Sequence, residues 1–287
     1  MTGAPPRPEV LAAVVRRYEA IGGGSPLPDM TRRQAAALQA ALSARLGSEA
    51  RVRPGSGVRV RPGFLYCEPT VAECLAELDA RNTVVLPLSP YTSQLTTGAY
   101  RAALAAAGHG ELPLLDGWYA DGRYLAALSH RVNETLDGAD PSEFALLLTA
   151  HNVPLETVTA GDPYVDQLLQ TAARLVPALL PGTWRLAFQS KGRRGGEWLE
   201  PEAATAVREF AEAGWKKLLV VPLGFVSDHV ETLYDLDIEL REVAASCDMA
   251  FLRCHALNDS PPFIAALADI VVGHLAGRPT PHPVVAT

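Results

Sequence analysis

Past residue 55 the chain alternates short apolar, β-branched runs with longer amphipathic stretches. No other feature limits the fold as strongly. Parallel strands need a crossover of a dozen or more residues, and an amphipathic helix supplies both that crossover and a cover for one face of the sheet. Strands are predicted near 57–65, 83–88, 143–149, 183–189, 217–222 and 249–254, with helices over 70–79, 98–107, 121–136, 162–179, 202–213, 229–245 and 262–275. Two helix starts are marked. Asp162 stands before Pro163 and Glu200 before Pro201, each placing a capping carboxylate ahead of a proline whose missing N–H costs nothing in a first turn. The fold class is therefore α/β. At 287 residues, 48% of them hydrophobic, the chain has material for two such units. The turn-like LLDGW sets a boundary near 118, giving one domain over 1–118, a second over 119–287, and a cleft between them. Only the tail PTPHPVVAT reads as disordered.

Charge and hydropathy exclude several classes. A formal charge of -7 opposes nucleic-acid binding, which needs clustered Lys and Arg to release counterions. No apolar run approaches the roughly 18 to 20 residues of a membrane span, and MTGAPPRPEV lacks the pattern of a signal peptide. A soluble, cytoplasmic monomer is expected. The four cysteines, Cys67, Cys74, Cys247 and Cys254, form two distant pairs with six intervening residues each, so neither is a CxxC motif, and all four read as buried thiols.

In parallel sheets, ligands collect in the loops after the strands' carboxyl ends. The segments TAHNVP, FQSKGRRGG and GFVSDHVE all fall at such positions. His151 follows the apolar run FALLLTA directly, where a buried strand gives way to a loop; a core histidine bonded to a carbonyl is the bland alternative. Glu231, Asp235 and Glu239 are spaced i, i+4, i+8 and would stand in a row down one helix face. Like charges so placed repel by about a few tenths of a kcal/mol per pair. A divalent cation passed along the oxygens would offset that cost, whereas a solvated acidic face is the alternative. His229 and Glu231, two apart, suit one side of an extended segment better than one helix face. The basic loop 191–196 has no GxxxxGK[ST] pattern, and GxGxxG is absent, so no nicotinamide or flavin is implied.

Several segments resemble the ferrochelatase family: TAHNVP at 149–154, GDPY at 161–164, LAFQSKG at 186–192, WLEP at 198–201, PLGFVSDHVETLYDLDIE at 222–239, and RYEAIGGGSPL at 17–27. They run in the family's order over nearly the whole chain. The resemblance implies two Rossmann-like domains, each a parallel four-stranded sheet flanked by helices, with a porphyrin cleft between them. It implies insertion of Fe(II), as substrate, into a free-base porphyrin during heme synthesis, with no organic cofactor. His151 and Glu231 match the residues that face each other across the cleft. Metallation must remove two pyrrole protons and bend the macrocycle. His151 would accept a proton and ligate metal, while Glu231 would ligate, accept protons, or do both. Asp235 and Glu239 would form an outward metal path. Arg17, Tyr18, Ser25 and Tyr124 carry over as porphyrin contacts, although Arg17 could equally be an exposed helix residue and the tyrosines core aromatics. The RYEAIGGGSPL form looks more like bacterial enzymes acting on coproporphyrin III than like those acting on protoporphyrin IX. No cysteine follows Cys254, so a [2Fe-2S] cluster is not expected. The alternatives are a chelatase for another divalent metal, a non-catalytic tetrapyrrole-binding protein, and a metal hydrolase built on His151, His229 and Glu231.

One departure stands out. The family opens with a buried strand, a glycine-containing loop and a helix before the RYxAIGG segment, whereas MTGAPPRPEVLAAVVR supplies only the helix leading into Arg17. The first sheet is then expected to have an open central slot. Each unpaired N–H or C=O buried there would cost roughly 1 to 3 kcal/mol. A start codon placed too far downstream would account for the difference.

Overall fold

The computed structural model describes residues 7–50, 57–79, 82–192, 195–277 and 284–286. Two helices, α1 (Pro8–Ala20) and α2 (Leu27–Ala50), precede β1 (Val60–Pro62), α3 (Val71–Ala76), β2 (Val84–Leu86), α4 (Thr97–Ala106) and α5 (Gly122–Leu136). Then follow β3 (Ala145–His151), α6 (Leu155–Thr159), α7 (Tyr164–Leu179), β4 (Thr183–Gln189), α8 (Ala203–Glu212) and β5 (Lys217–Val221). The last stretch holds α9 (Val230–Leu233), a π turn over Asp235–Leu240, α10 (Arg241–Ser246), β6 (Ala250–Arg253), α11 (Pro261–Ala276) and β7 (Val284–Ala286).

The fold is α/β with parallel sheets, and β3 shows why. It runs in the order β4-β3-β5-β6, paired in parallel on both sides. Its side chains alternate between two cores. Leu146 and Leu148 pack with Val132, Leu168 and Phe263, whereas Ala145 and Leu147 pack with Val207, Phe210 and Leu240. Helices therefore cover both faces, and β3 reads as a continuous apolar run instead of an alternating one. Burying each leucine is worth roughly 1.5 to 3 kcal/mol over leaving it exposed, which pins the register and with it the position of the terminal His151. The carboxylates ahead of the two prolines do not cap as expected: the N-cap residues are Pro163 and Glu202, so neither proline enters a first turn, although Asp162 Oδ1 accepts from the Tyr164 amide at 3.0 Å and Glu200 Oε2 accepts from the Glu202 amide at 3.0 Å.

The first sheet departs from expectation. Among the described residues it has three strands where four were expected, in the order β1-β7-β2. β7 pairs in parallel with both neighbours, Val284 lying opposite Val60 on one side and Val84 on the other. The expected open slot is thus filled, and part of the tail read as disordered is its central strand. Neighbouring composition carries no sign of that pairing, because both partners lie some two hundred positions away. The rest of the tail, 279–283 and 287, lies outside the described residues. Since β7 returns to the first sheet, a division of the chain at 118 does not separate the two sheets.

Two further differences are local. The 24-residue α2 was not expected, although its alanine-rich repeat has high helix propensity. It also completes β1: Gln39 Nε2 donates to the Val58 carbonyl and the Val60 amide donates to Gln39 Oε1, both at 2.6 Å. The single helix expected over 229–245 is instead α9, a π turn and α10.

Candidate active site

Three strand ends and their loops build the site. β3 delivers His151 at the sheet's carboxyl edge, opposite Gln189 at the end of β4. The loop after β5 presses against the same edge. A Cβ at Gly224 would stand 2.9 Å from Ala150 Cα, so only glycine lets that loop lie so close. The loop then brings in Phe225, whose ring packs edge-on against His229 at 4.6 Å and lies 6.5 Å from His151. His229 has extended backbone (φ -153°), as its two-residue spacing from Glu231 suggested. Its Nδ1 accepts from the Glu231 amide at 3.2 Å, so it caps the helix that carries Glu231.

Eighty positions apart in sequence, His151 Nδ1 and Glu231 Oε2 meet at 3.0 Å. Their side chains keep 41% and 30% of their exposure, so solvent and a ligand can reach both. Gln189 Nε2 donates to the Glu231 carbonyl, and the Tyr164 hydroxyl donates to the His151 carbonyl at 3.4 Å, fixing each backbone. Burial opposes charge on His151, but the Glu231 hydrogen bond and the Glu231 and Asp235 charges outweigh it and lift the imidazole above its ordinary value. Burial likewise opposes charge on Glu231, yet His151, His229 and Arg17 hold its carboxyl below the usual range. Desolvation depresses His229.

The π turn aligns the remaining carboxylates. An α-helix has 3.6 residues per turn, so four residues overshoot a full turn. In a π turn the bonds span five residues, as from the Glu239 amide to the Tyr234 carbonyl at 3.0 Å, and four residues undershoot. The drift from Glu231 to Asp235 is thereby opposed by the drift from Asp235 to Glu239, and the row stays on one side. Asp235 and Glu239 line an open cavity of about 290 Å³ together with Glu231, Gln189, Ser190 and Arg17. The Ser190 hydroxyl donates to Asp235 Oδ2. Ser190 holds φ of +61°, unusual for a residue with a side chain, directly after β4. Burial raises the Asp235 and Glu239 carboxyls above their ordinary values, against the pull of Ser190 and Arg17 on the first and of Arg17 on the second.

The residues expected to hold porphyrin fall differently. Arg17 sits on the carboxylate row, 3.4 Å from Asp235 and 3.6 Å from Glu239, with its guanidinium 5.0 Å over the Tyr234 ring. Tyr18, next to it on α1, is half-buried. Ser25 is exposed, and its hydroxyl accepts from the Leu27 amide at 3.4 Å, at the start of α2. Tyr124 is buried, at 1% exposure, with its ring edge-on to Trp118 at 5.1 Å, the core-aromatic alternative of the sequence reading. A tyrosine on the apolar stripe of an amphipathic helix is buried by that stripe. Lys191 of the basic loop pairs with Glu202 at 3.1 Å, while 193–194 lie outside the described residues. Ser190, Gln189 and Phe225 were missed as site residues, although each lies in a segment after a strand end that had been singled out. Among the described residues all four cysteines are free, with only Cys74 and Cys254 buried as expected, Cys67 exposed and Cys247 half-buried, and no three His, Cys, Asp or Glu side chains converge as a ready metal centre. No helix there is long and apolar enough to cross a membrane.

An imidazole and a carboxylate joined at a sheet edge, beside a cavity lined by three further carboxylates, two basic residues and apolar side chains, offer proton acceptors and nitrogen and oxygen donors for a divalent metal. Solved structures share the architecture. CbiX, the terminal enzyme for biosynthesis of siroheme in denitrifying bacteria, is 19% identical with a TM-score of 0.54, covering 87% of this chain and 94% of its own. SirB from Bacillus subtilis with Fe3+ is 16% identical with a TM-score of 0.57, covering 85% and 89%. That likeness defines the fold. The pattern of the ferrochelatase family matches residues 6–275. The ferrochelatase of Thermosynechococcus vestitus is 38% identical over 278 residues, 91% of this chain and 69% of that protein. That of Herpetosiphon aurantiacus is 31% identical over 284 residues, 94% and 90% respectively. The chain belongs to the ferrochelatase family, the metal chelatases that insert a metal ion into a porphyrin.

Proposed function

We propose that this chain inserts Fe(II) into coproporphyrin III in preference to protoporphyrin IX, as a cytoplasmic monomer, with His151 and Glu231 performing the chemistry. The His151–Glu231 contact of 3.0 Å at the carboxyl edge of the second sheet carries the reading. Insertion releases two protons for each metal ion that enters. With His151 neutral and its Nδ1–H donated to the Glu231 carboxylate, the lone pair lies on Nε2 and can accept a pyrrole proton. The carboxylate stabilises the imidazolium so formed; His151, 41% exposed, passes that proton to solvent and then accepts the second, while Glu231 serves as oxygen ligand to the arriving ion. A cavity of about 290 Å³ lies just below the roughly 300 to 1,000 Å³ typical of organic ligands, which suits a hydrated ion better than a macrocycle. Asp235 and Glu239 are therefore its acidic path, and Arg17 is the resident counter-cation that an incoming metal ion displaces or a porphyrin propionate draws away. Tyr18 and Ser25 belong to the porphyrin side. The preference for coproporphyrin is supported by the RYEAIGGGSPL form of the N-terminal segment.

The test compares Asp235→Ala/Glu239→Ala with the parent under anaerobic turnover. A raised Fe(II) requirement with unchanged porphyrin binding is the expected result. An unchanged Fe(II) dependence removes the path from the mechanism.

A further inference from the structure

Behind the carboxylate row lies a buried ionic cluster with no part in the chemistry described so far. Arg253, the last residue of β6, has a side chain that is only 2% exposed, and all of its donor nitrogens are engaged. Nε and Nη2 form a fork on Asp237, at 2.7 and 2.6 Å to its two oxygens. Nη1 donates to Asp228 Oδ1 at 2.7 Å and to the Cys254 carbonyl at 3.3 Å. Asp237 lies within the π turn, between Asp235 and Glu239, and Asp228 immediately precedes His229. Asp228 is held in turn by the Thr232 hydroxyl at 3.1 Å and by the Asn258 amide group at 2.9 Å. One guanidinium thus ties the end of β6 both to the loop that positions His229 and Glu231 and to the turn that carries the acidic row.

We infer that Arg253 is a positioning residue: its guanidinium clamps the π turn to the loop before α9, and so sets where Asp235 and Glu239 stand relative to the His151–Glu231 pair. This rests on the reading of that row as the Fe(II) path. Two features of the clamp support it. A bidentate fork fixes direction as well as distance, because both oxygens of Asp237 are held in the plane of the guanidinium. The π turn also departs from the α ladder on either side of it, so a local tether is needed to keep that geometry in place of a regular helix. A lysine at 253 would keep the charge and lose the fork, since an ammonium is a point donor that cannot bridge two carboxylates in one plane.

The experiment measures two things in Arg253→Lys: amide hydrogen exchange over 234–240 and over β3, and initial rates against Fe(II) and against porphyrin separately. The expected result is faster exchange in the π turn with β3 unchanged, and an Fe(II) KM raised about 10-fold or more with the porphyrin KM unmoved, the scale on which outer-shell partners act. Unchanged exchange overturns the inference, as does faster exchange with an unchanged Fe(II) KM, or a rise in both KM values alongside loss of β3 protection. If Arg253→Lys does not fold, Asp237→Asn, which keeps one carbonyl acceptor for the fork, is read by the same criteria. Asp235→Ala/Glu239→Ala serves as the reference. When it raises the Fe(II) KM and Arg253→Lys does not, the clamp alone fails. If neither moves it, the path reading fails and the inference falls with it.

Discussion

The two sheets reach the same parallel architecture by opposite means. The second is assembled from strands of four to seven residues that follow one another between 145 and 253, around a central β3 buried on both faces. The first has three strands of three residues each, and its centre comes from 284–286, far from β1 and β2 in sequence. Loop closure must be made before such distant pairings contribute anything. The sheet with mostly nearby pairings carries His151, Glu231 and the acidic row, and the loosely closed one carries none of them. The proposed chemistry, which needs its atoms held to within about half an ångström, thus draws on the more firmly determined half.

The largest effect that separates the halves concerns the chemistry. Replacing His151 with Ala or Glu231 with Gln should lower turnover by about 100-fold or more, as removal of a general base does, with thermal stability nearly kept. Steady-state rates beside a melting curve read this, and rates near the parent's would place the chemistry elsewhere. Next comes the closure of the first sheet. Val285→Pro removes a donor from the central strand β7 and should cost roughly 1 to 3 kcal/mol in urea denaturation, while amide protection of β3 persists. Equal loss of protection in both sheets would show that they unfold as one unit.

A pH test follows from the coupled pair. The folded His151 value is raised, so its share of stability is complete below the ordinary 6.5 and is lost as pH rises through the raised value. The folded Glu231 value is lowered, so its share is complete above the ordinary 4.5 and is lost as pH falls through the lowered value. The stability gap between the parent and Glu231→Gln should therefore be widest between about pH 4.5 and 6.5 and should narrow above that window. A gap that grows toward pH 8 would contradict the pairing. The smallest effect belongs to Tyr124→Phe. Loss of one buried hydroxyl should cost about 0.5 to 1.5 kcal/mol and leave the porphyrin KM unchanged; a raised KM would return Tyr124 to the binding site.

How much of this was legible depended on distance in sequence. β4 occupies the expected 183–189, and β3 ends at the histidine that follows the apolar run, because hydrophobic period and strand ends are local properties. The acidic row was visible as a spacing, but the π turn that aligns it was not, since an i, i+4 pattern reads equally well as a regular helix. The meeting of His151 with Glu231 came only from the family resemblance, as nothing local joins residues eighty positions apart. Arg17 pairs with Asp235 and Glu239, a partnership no local pattern announced, since a guanidinium donates to those carboxylates as readily as to a propionate. Ser190 was hidden because its role depends on a left-handed backbone, and β7 because three residues of β propensity do not name the edges they join.

The central claim is that the second sheet's His151–Glu231 pair metallates a porphyrin. Its most direct test is anaerobic turnover of coproporphyrin III and protoporphyrin IX with Fe(II), followed by loss of free-base fluorescence, for the parent and for Glu231→Gln. The expected result is turnover by the parent, faster with coproporphyrin III, and porphyrin binding without turnover in Glu231→Gln. Turnover in Glu231→Gln equal to the parent's, or porphyrin binding without turnover in the parent itself, would contradict it.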